Sequence, residues 1–525
     1  MAPGAQPIAR GMAGRAAALA ILTFLLVPLG AVFWRAGGGA MPDVHDWAAV
    51  RFTLWQAALS AVASTLLAVP VARAVARRRF PGRGALIALM GAPFILPVIV
   101  AVIGLIAVYG RGGLVNDLLG LACLPPPGDG RPRCLSVSIY GLHGVVLAHV
   151  FFNLPLAVRL ILQGWLAIPA ERFRLAAHLG AGPGDVQRLL EWPMLRATLP
   201  GVVLIVFAIC LSSFAVALTL GGGPRATTVE LAIYQAFTYD FDLARAAMLS
   251  LVQLLLVTGA GLLALRLGRT EGFGAGLDRR IDMLPPGGRA LWLGDAAWMT
   301  VAALFLLLPL GAVAVRGLSG LAEMPPSVWG ATGNSLAIAL SATLLTVSVA
   351  LALALARRGW VDLAGMAPLA ASPLVLGTGL FLLINPVARP VDWALVVTLA
   401  VNVAMALPFV LRIVLPAAQE VERSYGRLAD SLGMRGMARL RWLILPRMRR
   451  PLGFAAGLTA ALSMGDLGVI ALFSDPDKAT LPLTVFRLMG AYRTEAAAGA
   501  ALLLLVLSFG LFLIFDLGGR GAATR

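Results

Sequence analysis

The sequence predicts an all-α polytopic membrane protein, with twelve transmembrane helices arranged as two parallel six-helix repeats. Of 525 residues, 59% are hydrophobic and 13% charged, about half the ~25% charged share of soluble domains. The apolar residues come in unbroken runs, at 16–33, 85–109, 201–220, 299–315 and 498–515. Each is close to the length at which a helix crosses a hydrocarbon core. The third observation is that the two halves align with each other.

The spans are expected at 15–35, 52–76, 85–109, 140–163, 198–220 and 244–266, then at 292–315, 334–356, 364–386, 392–415, 452–473 and 496–516. The first run follows Arg10 and Arg15 and outlasts the apolar core of a secretion signal, so it reads as an uncleaved helix. Twelve spans place both termini on one side. Loops on that side hold 30 of the 42 basic residues and 12 acids, a balance of +18. The other side carries 12 of each, and Asp466 inside a predicted span brings the net charge to +17. Positive loops stay cytoplasmic, so both termini are expected there. The basic excess is a topology signal and calls for no nucleic acid, the usual first suspect for so basic a chain. Cys123 and Cys134 bracket a Pro- and Gly-rich external loop. A disulfide and two free thiols both fit that placement. Cys210 lies inside a span and reads as packing.

A shift of 253 residues pairs Pro155 with Pro408, Arg159 with Arg412, Gly180 with Gly433 and Pro193 with Pro446. Nearer the N-terminus the shift is 280, pairing Pro93 with Pro373 and Arg77 with Arg357. The extra 27 residues lie between Pro97 and Pro155, around the cysteine loop. The chain therefore divides into a first repeat, 1–267, a Gly- and charge-rich cytoplasmic linker, 268–290, and a second repeat, 291–525. Six spans per half make the repeats parallel about an axis along the membrane normal. A translocation path along that axis follows. Two classes remain open: a 6+6 secondary transporter, or the membrane half of an ATP-driven importer.

The long cytoplasmic loops, 171–193 and 422–446, separate them. In each, a helix of small residues (Ala176 and Ala177, or Ala429) runs into a glycine, Gly180 or Gly433. A short amphipathic segment follows, and Pro193 or Pro446 lies 13 residues beyond the glycine. Small residues permit close helix approach, and glycine takes the left-handed turn that ends a helix. The next segment is expected to cross at an angle, showing Leu189 and Leu190, or Leu440 and Leu443, to a partner's groove.

This pattern resembles the EAA loop of ABC importer permeases, and the fold is accordingly expected to be of the type I ABC importer permease kind. Leu190 and Pro193 fall on the family's Ile and Pro positions, as do Leu443 and Pro446 in the second copy. Arg174 and Arg427 depart from it, standing where the family has Glu. The resemblance implies two copies of a separate ATPase bound from the cytoplasm. No P-loop exists here: Lys478 is the only lysine, with Asp477 before it and Leu472 at the earlier glycine position. The chain is therefore not expected to be an enzyme, and no cofactor is expected. Residues 190–196 and 213–250 are similar to the permeases of thiamine ABC transporters. That likeness implies import of thiamine and its phosphate esters into the cell, with delivery by a periplasmic substrate-binding protein. Ferric iron or another small cation is the alternative cargo within the family.

Asp466 is expected in the middle of the fifth span of the second half, opposite Ser213 under the 253 shift. A carboxylate in a membrane helix usually faces a cavity or a partner, and an acid on the path would offset desolvation of the cationic thiazolium. Asp466, Ser212, Ser213 and Ser463 are therefore the path candidates; a packing hydrogen bond is the alternative role for the acid. His143 and His149 are six apart, share no helical face and lack a third ligand, so no metal site is expected. Tyr234, Tyr239, Asp240 and Asp242 fall in an external loop, open to a binding protein or to solvent alone. Pro93, Pro97, Pro155, Pro373 and Pro408 are expected to kink helices. Membrane lipid is the surrounding medium.

Overall fold

The computed structural model describes residues 8–37, 41–78, 80–120, 137–221, 223, 226–267, 288–356, 359–473 and 478–520. Cys123 and Cys134, and most of the linker, lie outside the described residues.

Among these residues the chain is mainly helical and contains no strand. The first half contains α1 (Ile8–Ala36), α2 (Val44–Arg77), α3 (Arg83–Leu89), α4 (Val98–Tyr109), α5 (Leu114–Gly120), α6 (Leu142–Ala167) and α7 (Ala170–His178). It continues with α8 (Pro183–Val186), α9 (Trp192–Leu211), α10 (Phe214–Leu220), α11 (Val229–Thr238) and α12 (Leu243–Leu267). The second half opens with α13 (Arg289–Gly320), α14 (Ser327–Ala356), α15 (Gly359–Met366), α16 (Pro373–Ile384) and α17 (Ala394–Ser431). It ends with α18 (Gly436–Arg439), α19 (Leu445–Arg447), α20 (Arg449–Met464), α21 (Gly468–Phe473), α22 (Leu481–Gly490) and α23 (Thr494–Arg520).

Among the described residues eleven helices are long and apolar enough to cross a membrane, and α15 with α16, bent by 91°, make a twelfth when taken together as one broken span. The expected number therefore holds, while several boundaries move. The fifth span starts at Pro183 rather than 198 and stops at Leu211. α17 runs 38 residues, carrying the tenth span straight into the second long loop. Pro155 and Pro408 lie inside helices, as expected of kinks. Pro93, Pro97 and Pro373 instead sit at helix starts, where a missing N–H costs nothing.

The element order of 8–267 recurs in 289–520, and the first helix of each half reaches across to the other half while keeping contact with its own. α1 packs on α14 and α16 as well as on α12, and α13 packs on α4 and α2 as well as on α23. Both first helices carry an internal proline, Pro28 and Pro309. Pro309 rests on Gly104 of α4, and Pro28 rests on Gly379 of α16, so closely that a β-carbon on either glycine would strike the proline's carbonyl. Small residues at such crossings let backbones meet and gain packing energy where the hydrophobic effect between helices is absent.

One face of the bundle carries the end of α2 and the start of α13, tied by Arg78 to Asp295 at 2.6 Å. The long loops lie on this face. The opposite face carries the starts of α2 and α12, tied by Asp46 to Arg245 at 2.8 Å.

Candidate functional site

Two regions stand out, one on the long loops and one at the seam between the halves. In each loop the first helix closes in the same way. Gly180 has φ +68° and Gly433 φ +67°. The N–H of Gly180 reaches Ala177 and that of Ala181 reaches Ala176; Gly433 and Met434 repeat this on Asp430 and Ala429. These are paired Schellman caps, which glycine favours because it has no β-carbon. Ala429 is buried, Ala176 half-buried and Ala177 exposed.

In the first half the segment after the glycine is not a separate short helix but the first part of the fifth span, joined through one π-helical turn, Gln187–Glu191. In the second half it is a short helical segment with the matching π-helical turn, Leu440–Ile444, and it ends at Arg447, just before α20 starts at Arg449. The turns are 253 residues apart and sit just before Pro193 and Pro446. A proline has no N–H and its ring crowds the carbonyl four residues back. A wider turn absorbs both defects, since Trp192 bonds back to Gln187 and Leu445 to Leu440, five residues each.

Eight exposed apolar side chains here form two matching sets. Leu175, Leu179, Leu189 and Trp192 are exposed in the first half; Leu428, Leu432, Trp442 and Leu445 are exposed in the second. Each pair is related by the 253 shift. Leu189 was legible in the sequence. Leu190, Leu440 and Leu443 pack inward against the core, so the outward face includes the end of the preceding helix as well. Pro193 and Pro446 are exposed beside it.

The loops are braced differently. In the first half Arg73 Nε of α2 meets Glu191 Oε2 at 2.8 Å, and Arg73 Nη2 donates to Gln187 at 3.2 Å. In the second half Arg439, buried, pairs with Glu422 and Asp430. No buried acid was expected at 191.

At the seam, the fifth span of each half breaks. α9 ends at Leu211 and α10 starts at Phe214; α20 ends at Met464 and α21 starts at Gly468. Asp466 therefore lies in an interruption and not in mid-helix, and Ser212 and Ser213 occupy the matching interruption. The apolar runs continue through both breaks, so hydropathy alone could not show them. Carbonyls freed at a break must find donors inside a membrane. Gln56 donates to the Cys210 carbonyl at 2.9 Å and Gln253 to that of Leu211 at 3.0 Å.

Repeat-related residues of the fourth span hold the two breaks. His149 Nε2 lies 2.5 Å from Ser213 Oγ, with Nδ1 3.1 Å from Ser60 Oγ. Asn402, at the same position under the 253 shift, donates to Ser463 Oγ at 2.9 Å. Both are polar residues in apolar spans, a signal that the alignment of the halves could have flagged. Asp466 Oδ1 accepts from the Gly468 N–H at 3.2 Å, while its buried Oδ2 has no hydrogen-bond partner. Gly465 packs on Pro97 and Gly468 faces the Phe214 ring, so the acid lies where the halves meet.

The segment 229–238 is a buried helix and not an exposed loop. Tyr234 is buried, its ring 5.3 Å from that of Phe214, whereas Tyr239, Asp240 and Asp242 are exposed. Glu230 of the same helix is buried too, accepting from Gln253 at 3.3 Å. Among the described residues no cluster of His, Cys, Asp and Glu could hold a metal ion.

No protein-family model matches the chain. Whole-chain relatives are clear. A thiamine transport system permease protein of Brucella suis is 41% identical, covering 100% of this chain and 96% of its own. Its counterparts in Salmonella typhimurium and Escherichia coli are 41% and 39% identical, with 100% of both chains covered. A molybdenum transport system permease protein of Azotobacter vinelandii is 30% identical over only 36% of this chain. With identity near 40% sustained from end to end, the chain belongs to the family of thiamine transport system permease proteins.

Proposed function

We propose that this chain is the transmembrane subunit of an ATP-driven importer that carries thiamine and its phosphate esters across the cytoplasmic membrane. The observation that carries the reading is the pair of matching apolar patches on one face. Two similar exposed apolar surfaces, repeated at the same four positions, suit two copies of one ATPase subunit. The sequence holds no P-loop, so the nucleotide is read as bound by those subunits. The patch face, with both termini, is then cytoplasmic, in keeping with its basic loops.

The broken spans at 212–213 and 465–467 line the path between the halves. Interrupted helices are where membrane transporters present backbone and polar groups to cargo. Asp466, with an unpartnered carboxylate oxygen, would offset desolvation of the thiazolium charge, and Ser212, Ser213 and Ser463 supply hydroxyls beside it. A periplasmic binding protein delivers the cargo on the opposite face. ATP closes the ATPase pair because it binds the closed form better, and the two loops pass that preference to the path.

The test is uptake of labelled thiamine into proteoliposomes holding the permease, its ATPase and the binding protein. Uptake is expected to need all three components and ATP. Uptake that survives complete ATP depletion but stops with an uncoupler would defeat the reading.

A further inference from the structure

Among the described residues, two that are not glycine have a left-handed backbone: Phe241, φ 52°, and Tyr492, φ 59°. Bulky side chains rarely adopt this conformation, because the β-carbon crowds the carbonyl. Both are nevertheless large aromatics, and both point outward, Phe241 80% and Tyr492 90% exposed. They also lie in matching turns of the two halves, two positions apart in the register of the repeat. Phe241 lies in the turn between α11 and α12, and Tyr492 in the turn between α22 and α23.

The Tyr492 turn can be compared directly with the loop caps. Its N–H bonds to Met489 and that of Arg493 to Leu488. This is the hydrogen-bond pattern of Gly180 and Gly433. On one face of the molecule the left-handed position is filled by glycine, and on the other by a tyrosine. The Phe241 turn is held rigid by charge: Arg245 reaches Asp240 and Asp46, each at 2.8 Å, and Asp242 accepts from the N–H groups of Ala244 and Arg245 at 3.0 Å. Tyr239, exposed on the same turn, is the repeat mate of Tyr492.

We infer that Phe241 and Tyr492 are docking anchors for the soluble binding protein that delivers cargo, one in each half; this rests on the importer reading above. Protein is the better occupant than lipid, because α11 and α22 are buried in the bundle and packed on α2, α12 and α21, or on α14, α23 and α4. Their C-terminal turns therefore emerge within the outline of the bundle rather than at its rim. Exposed rings held rigid make good anchors, since little side-chain freedom is lost on contact. A partner lying across both halves would touch the two anchors at once.

The experiment uses the complete permease–ATPase complex in lipid nanodiscs and measures binding of the thiamine-loaded binding protein. Phe241→Gly and Tyr492→Gly remove the ring and suit the backbone, and Tyr492→Asn keeps a residue tolerant of that conformation. Each single variant is expected to weaken binding at least tenfold and the double variant further. Thermal stability should be unchanged or higher, and basal ATP hydrolysis unchanged. Glycine variants that bind as tightly as the wild type would overturn the anchors while leaving the importer reading intact. A wild-type complex that fails to bind the loaded protein would overturn both.

Discussion

Arg73 of α2 and Glu191 of the first π-helical turn form an ion pair at 2.8 Å, with Glu191 only 1% exposed. The pair ties the first long loop to a membrane span. At the matching positions of the second half stand Leu353 and Ile444, both buried in one apolar cluster. The protein thus contains an ionic and an apolar solution to the same packing problem.

Removing one partner leaves a buried charge alone, at a cost of about 3–5 kcal/mol. Arg73→Ala and Glu191→Ala should each lower the thermal unfolding midpoint clearly. Arg73→Leu combined with Glu191→Ile should recover most of that loss, because it installs the pair found in the second half. Unfolding curves in detergent for the three variants decide the matter, and a double variant no better than either single would refute it.

Asp466→Asn keeps the acceptor for the Gly468 N–H and removes the charge. Thiamine uptake is expected to fall about tenfold, of order 1.4 kcal/mol, with ATPase assembly and basal hydrolysis unaffected. Uptake kinetics beside hydrolysis rates in the same proteoliposomes check this. Unchanged uptake would remove the acid from the path.

The loop glycines should tolerate no β-carbon. Gly180→Ala and Gly433→Ala force a left-handed alanine, at about 1–2 kcal/mol each, and should loosen the Schellman caps. Leu189→Asp and Trp442→Asp alter the exposed patches without touching the core. All four variants should lose ATPase subunits on co-purification, while the patch variants keep the wild-type unfolding midpoint. Retention of both ATPase copies by Leu189→Asp with Trp442→Asp would exclude the patches as the docking surface.

At the opposite end of α2, Asp43 and Asp46 form a capping box, the N–H of Asp46 donating to Asp43 at 2.7 Å and that of Asp43 to Asp46 at 3.1 Å. The first of these bonds holds the Asp43 carboxyl below its ordinary range. A lowered folded-state pKa means the cap contributes fully above the ordinary aspartate range and is lost as pH falls through the lowered value. Asp43→Asn should therefore behave like the wild type near neutrality but show a weaker loss of stability on acidification. Unfolding midpoints measured between neutral and strongly acidic pH would reveal the difference.

Much of the architecture was legible because membrane spans and repeats leave marks on composition. The loop glycines were found from their spacing, and their left-handed backbone followed. Asp466 stands out in the sequence as an acid among apolar residues, yet its place in a break is invisible there, since residues 452–473 read as one hydrophobic stretch. Glu230 and His149 carry no such mark, for related reasons. Glu230 sits in a helix too short to read as a span, and His149 looked isolated until the fold brought Ser60 and Ser213 to its two nitrogens.

The number of spans, the twofold repeat and the sidedness implied by charge all follow from local hydropathy and spacing, which report how each segment meets lipid or water. The reach of α1 and α13 across to the opposite halves, the polar groups that satisfy each broken span and the meeting of Gly468 with Phe214 do not. They depend on which surfaces pack together between residues hundreds of positions apart, and no local pattern records that choice.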